Sequence, residues 1–99
     1  MAKVDWREVL TYDPVGAHSS GATISTAAVL TPPTGATKLM IQTLTQNVRY
    51  TLNGTTPTAT LGFQLLAGDP PIVIPLGNAT VITVIQEAAT ASLQYQWGS

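Results

Sequence analysis

The residues able to carry acid–base, nucleophilic or metal chemistry are few, and their spacing works against a shared site. Five carboxylates, four cations, one histidine and no cysteine occur in 99 residues. General acid–base catalysis needs titratable groups held together with tuned pKa values. Beyond residue 13 the only carboxylates are Asp69 and Glu87. Asp69 sits between Gly68 and Pro70, which is turn chemistry, and Glu87 ends an apolar run, where a carboxylate serves to solubilise a strand end. Asp13, His18 and Ser19 or Ser20 supply the types of an acid–base–nucleophile triad. They fall in one short stretch with no elbow motif to expose the serine. A lone histidine is too little for a zinc site, and the absence of cysteine removes thiolate chemistry and disulfides. The glycines are isolated and form no phosphate-binding loop. The expectation is a protein that is not an enzyme and holds no cofactor or metal.

The elements that would have to position these residues are unusual in charge. Ordinary soluble domains carry about 25% charged residues; here they make up 9%. Lys3, Asp5, Arg7, Glu8 and Asp13 crowd the start, and only Lys38, Arg49, Asp69 and Glu87 come after them. Threonine, serine, glutamine and asparagine supply the remaining polarity. A net charge of −1 lacks the clustered basic face that nucleic acid requires. No apolar run reaches the roughly 20 residues of a membrane span, and the opening MAKVDWREVLTYD lacks the layout of a secretion signal, so synthesis in a cytoplasm is expected. A charge-poor body suits a surface covered by other subunits, because interface cores are depleted in charge; a threonine-rich solvated surface is the alternative. At 99 residues the chain makes one domain, and such a domain buries only about two-thirds of its surface, so burial in an oligomer would help.

Strand signals recur about every ten residues. Candidates are Arg7 to Tyr12, Ala22 to Leu30, Lys38 to Thr45, Asn47 to Leu52, Phe63 to Ala67, Pro71 to Leu76, Ala79 to Glu87 and the final SLQYQWG. Lys38 to Thr45 reads as a buried strand, apolar at Leu39, Met40, Ile41 and Leu44. NVRYTL alternates, with Val48, Tyr50 and Leu52 on one face. TPPTGAT is a loop, and IQEAATASL reads as a hairpin connection. Asn53 and Gly54 suit a hairpin turn, since both tolerate positive φ, and Pro57 restricts the chain beyond the turn and can widen the connection. Pro14 and Gly16 break regular structure near the start. These signals predict an all-β fold, a single antiparallel β-sandwich of jelly-roll or Ig-like type over residues 21–99, with an extended N-terminal arm over 1–20.

Binding candidates are sparse. Tyr50, Tyr95 and Trp97 could stack on a sugar ring while Gln94 and Gln96 bond its hydroxyls; alternatively Leu93, Tyr95 and Trp97 form one core face of a terminal strand. Trp6, with Arg7 and Tyr12 in the charged arm, is a candidate interface anchor. The sequons at Asn53 and Asn78 arise readily among sixteen threonines and carry no weight without a secretion signal.

The stretch Tyr50-Thr51-Leu52-Asn53-Gly54-Thr55-Thr56-Pro57-Thr58 resembles the hairpin of chitobiase-type C-terminal domains, which are Ig-like sandwiches, with Asn53 where that pattern prefers Asp. Together with Gly62, Leu65, Ala67 and Gly68, the run from about Leu39 to Gly98 is similar to small virion structural proteins of tailed bacteriophages. The resemblance implies a capsid decoration or cement protein that stabilises the head shell, located in the virion and made in a bacterial cytoplasm. It also implies partners: further copies of itself, a trimer being the guess because small cement proteins often sit on three-fold sites, and the major capsid protein. Neck, tail or fibre-base components are the near alternative. A carbohydrate-binding sandwich for attachment to host cells is the alternative from another class.

Overall fold

The computed structural model describes residues 12–21 and 24–99. Among the described residues eight strands carry the fold: β1 (Ser19–Gly21), β2 (Ala28–Leu30), β3 (Lys38–Leu44), β4 (Val48–Thr51), β5 (Phe63–Leu65), β6 (Ile72–Pro75), β7 (Ile82–Gln86) and β8 (Ser92–Gly98). Among the described residues there is no helix. Two four-stranded antiparallel sheets result, in the orders β1-β8-β3-β6 and β2-β7-β4-β5. The pairs nest, β4 with β5, β3 with β6, β2 with β7 and β1 with β8, which is the jelly-roll order and not the Ig-like one. Only β4 and β5 are consecutive strands paired in one sheet. Residues 87–91 are therefore a crossing between sheets and not the expected hairpin connection.

The core lies between the sheets. β3 alternates strictly: Leu39, Ile41 and Thr43 are buried, while Met40 is half-buried and Leu44 exposed on the other side. The apolar run at its start is thus a one-faced strand and not one buried on both faces, as strand periodicity requires when one face meets solvent. Leu93 and Trp97 of β8 and Ile74 of β6 complete that layer; Val48, Leu65, Ile82, Val84 and Leu30 face it from the second sheet. Each fully buried aliphatic side chain contributes roughly 1.5–3 kcal/mol of transfer free energy. Of the expected strand Ala22–Leu30, Ala22 and Thr23 lie outside the described residues. Ser25 and Thr26 bend the chain, Ile24 turns into the core with its carbonyl accepting the Gln86 amide at 3.0 Å, and Ala28–Leu30 pair with β7.

The expected boundary between arm and sandwich at residue 20 is also corrected. Ser19, Ser20 and Gly21 pair with Tyr95, Gln94 and Leu93. Farther back, Val15 donates to the Trp97 carbonyl at 2.9 Å, and Asp13 and Ser99 exchange both backbone bonds. The described part of the segment therefore flanks β8 over its whole length. Its register slips by two residues between Val15 and Ser19, where Gly16 takes φ +76°. Such a bulge frees backbone carbonyls. The Gln96 amide fills the gap, donating to the carbonyls of Val15 (3.3 Å) and Gly16 (3.1 Å).

Tyr12 closes the segment. Its ring covers Gly98, where a Cβ would overlap the ring. Its hydroxyl donates to the Gln96 carbonyl and accepts the Met40 amide at 2.9 Å, and the Lys38 ammonium lies 5.7 Å from the ring centroid. Burial raises the Tyr12 pKa above its ordinary value, against the lowering effect of the Met40 amide. The strand expected over Arg7 to Tyr12 otherwise lies outside the described residues, as do Trp6 and Arg7.

Candidate functional site

The residues with chemical potential are held apart by the sheets. His18 Nε2 lies 2.8 Å from Gln94 Oε1, beside β8, while Ser19 and Ser20 are committed to the β1 ladder. Asp13 is anchored at Ser99, at the far end of that strand, so no triad assembles. Asp69 forms the turn after β5: its amide donates to the Leu66 carbonyl and its carbonyl accepts the Gln42 side chain at 3.1 Å. Among the described residues no three potential ligands cluster for a metal ion, and no helix is long and apolar enough to cross a membrane.

Glu87 does more than solubilise a strand end. Arg49, paired in register with Gln64 on β5 and Ile85 on β7, projects from the outer face of its sheet. Its Nε donates to Glu87 Oε2 at 2.7 Å, Gln64 Nε2 donates to the same oxygen at 2.6 Å, and Arg49 Nη1 reaches the Gly62 carbonyl at 3.0 Å. This clasp spans β5, β4 and the end of β7. Partial desolvation pushes the Glu87 carboxyl up, but the Gln64 and Arg49 hydrogen bonds and the Arg49 charge outweigh it and hold the pKa below the ordinary value. A carboxylate with a depressed folded pKa stabilises the fold above its unfolded pKa and loses that contribution as pH falls through the folded value. Thermal melts of the wild type should therefore lose stability below the ordinary carboxylate range. Glu87→Gln should show a shallower loss over the same interval; identical pH profiles for the two proteins would show that the clasp is energetically silent.

The aromatic candidates on β8 divide. Trp97 is buried, Tyr95 is half-buried against the core, and the two rings meet edge to face at 6.2 Å and 85°. Gln94 and Gln96 point to the opposite face, engaged with His18 and the bulge. Trp97 is closed into the core, while Tyr95, packed against that core, also borders a shallow cleft with His18, Gln94 and Gln96, so the two rings do not form a shared stacking platform.

The Asn53–Gly54 region is not a two-residue hairpin. Eleven residues, 52–62, join β4 to β5. Gly54 does take φ +83°, and Asn53 Oδ1 accepts the Thr55 amide at 3.1 Å, while the segment pairs sideways with Val81. Pro57 is fully buried and packs as well as restricting the chain. The loop closes a cleft of about 510 Å³ lined by Tyr50, Leu52, Asn53, Thr55, Leu61 and Phe63, with Thr51 and Gly62 behind them. Tyr50 and Phe63 are cross-strand partners with ring centroids 5.5 Å apart. Burial alone raises the Tyr50 pKa, so its phenol stays neutral. Phe63 belongs to the inward-facing row with Tyr50 and Val84, yet it is 60% exposed because β5 is the edge strand of its sheet among the described residues. Strand patterning does not single out Leu61 or Phe63 as site residues; Phe63 opens the short apolar run held between Gly62 and Gly68, and Leu61, just before Gly62, carries no signal of its own.

At the other end of β5, Leu66, Pro70, Pro71 and Ile72 line a groove of about 340 Å³ leading to β6. Leu66 and Val73 are each 47% exposed. β6 is an edge strand with an unusual hydrogen-bonding rim. The Leu76 amide turns toward β3, donating to the Thr37 carbonyl at 2.9 Å. Alternation then directs the backbone groups of Ile74 and Ile72 to β3 and those of Pro71, Val73 and Pro75 to the open edge. Proline has no N–H, so Val73 offers the one outward donor over these five residues. Proline on an edge is a recognised barrier to strand addition.

No protein-family model matches this sequence, and no curated protein or solved structure matches it.

Proposed function

We propose that this chain is a non-enzymatic structural protein of a tailed-phage virion, a head decoration protein that stabilises the shell by covering its apolar corner with neighbouring subunits. The observation that carries the assembly reading is the exposure of Leu66, Ile72 and Val73 on and just before the edge strand β6, where Asp69 and Lys38 are the charged residues that the strand and its preceding turn bring close among the described residues. Contiguous exposed apolar residues mark interaction sites, and the proline-blocked rim directs the partner to pack on the face of β6 instead of extending its sheet. The placement in a virion rests on the resemblance of residues 39–98 to small phage virion proteins, as do the trimeric state and the major capsid protein as partner. A neck, tail or fibre-base position would use the same surface.

Sedimentation of the full chain should show a defined homo-oligomer. Val73→Asp should shift it to monomer while leaving far-UV spectra unchanged, because Val73 faces solvent. Deleting residues 2–11 tests the remaining interface candidates, Trp6 and Arg7, and should weaken attachment in co-sedimentation with particles stripped of this protein. The deletion stops before Tyr12, which the fold itself needs. Attachment should depend weakly on salt, since few charges are present to be screened. A wild-type chain that stays monomeric at high concentration and does not bind such particles would sink the reading.

A further inference from the structure

We propose that the cleft between β4, β5 and the 52–62 loop binds a neutral saccharide ring, with one apolar face of the sugar on Phe63 and its hydroxyls bonded by Asn53, Thr55 and Tyr50. The site lies at the opposite end of β5 from the assembly corner and stands independently of it.

The lining chemistry narrows the ligand. The volume, about 510 Å³, falls in the usual range of small-ligand sites. None of the lining side chains is charged, so phosphates, carboxylates and cations find no counter-charge. The nearest ion pair, Arg49 with Glu87, is satisfied within itself and with Gln64. The wall is apolar at Phe63, Leu61 and Leu52, and an uncovered aromatic ring is the surface on which sugar C–H groups stack. The polar groups are neutral and capable of more bonds. Asn53 Oδ1 is held by the Thr55 amide, which orients the side chain and leaves its NH₂ as a donor. The Thr55 hydroxyl and the Tyr50 phenol make no hydrogen bond among the described residues.

A wholly apolar occupant would desolvate these three groups without a partner, at the full cost of an unmade hydrogen bond. A wholly polar one would leave Phe63 and Leu61 wet. A pyranose carries both a C–H face and hydroxyl edges. The wall is also pre-formed. Gly62 lies against the Tyr50 backbone, and the Arg49 guanidinium holds the Gly62 carbonyl at 3.0 Å, so little ordering remains for binding to impose.

The test is an amide chemical-shift titration of the isotope-labelled full chain with neutral di- and trisaccharides of glucose, galactose and N-acetylglucosamine, each beside a sulfated counterpart. The expected result is a set of shifts confined to Tyr50, Asn53 to Thr55 and Leu61 to Phe63. The dissociation constant should be on the order of 1 mM for a single stacked ring, unchanged by added salt. Phe63→Ala should weaken binding about tenfold or more, and Phe63→Trp should retain it, with melting temperatures near wild type for both because the ring is largely exposed. Three results would each overturn the proposal: no cleft shifts with any neutral sugar, tighter binding of the sulfated form, or Phe63→Ala binding as well as wild type. Shifts of the same amides on simple dilution would do so as well, by showing that a second copy fills the cleft.

Discussion

Trp97→Ala should lower the melting temperature by roughly 15–30 °C, the largest single loss available in this chain. Trp97 is 5% exposed and sits on β8, the strand flanked by β3 on one side and the Val15–Gly21 segment on the other. Its partner in register is Leu39, fully buried, and its ring meets the edge of Tyr95. Truncating a buried tryptophan costs about 3–5 kcal/mol, through lost transfer energy and the cavity left behind. Against a total stability of about 5–15 kcal/mol, that is a large fraction. The ring lies away from the cleft, so any saccharide binding measured well below the new melting point should persist. A variant that melts like wild type but loses a ligand would instead return Trp97 to the surface and overturn its place in the core.

Gly62→Ala should cost about 3 kcal/mol or more, well above Gly54→Ala, although both glycines have positive φ. At Gly54, with φ +83°, a Cβ would meet only Val81 at an ordinary 3.8 Å. The left-handed conformation alone then costs roughly 1–2 kcal/mol. Gly62 takes φ +126°, and its Cβ would lie 2.9 Å from the Tyr50 carbonyl and 3.3 Å from the Arg49 Cβ. Two penalties therefore combine, and the backbone cannot yield without pulling β5 from β4 or the Gly62 carbonyl from Arg49. Parallel urea melts of the two variants provide the measurement. Equal losses would mean that Gly62 has room to move and that the cleft wall is not rigid.

These two sites show unequally in the sequence. Trp97 is legible as core because Leu93, Tyr95 and Trp97 alternate with Gln94 and Gln96, and period-two alternation is a local property of a strand. Gly62 is not legible as a constrained position, because its constraint is the Tyr50 backbone, remote along the chain. Phe63 reads as one more apolar strand residue; only its place on an edge strand leaves the ring uncovered. The same holds for Glu87, which ends a strand in sequence and closes an ionic clasp in space because Arg49 and Gln64 arrive on neighbouring strands.

The apolar run Leu39 to Leu44 did not disclose that only Leu39, Ile41 and Thr43 turn inward. Alternation, turn residues and the scarcity of helix signals were enough, however, to specify an all-β sandwich, the inward placing of Val48, Leu93 and Trp97, and a positive φ at Gly54. These arise from backbone sterics and a two-residue period, which act over a few positions. Which strands pair was decided only in three dimensions. Jelly-roll nesting joins Ser19–Gly21 to Leu93–Tyr95 and Lys38–Ile41 to Ile72–Pro75 across long intervals, and such pairings depend on the combined burial of two sheets, which no local pattern encodes. The same nesting drew residues 12–20 from an expected arm into the edge of a sheet, set Pro71 and Pro75 on an open rim, and left Tyr50 and Phe63 at the mouth of a neutral cleft.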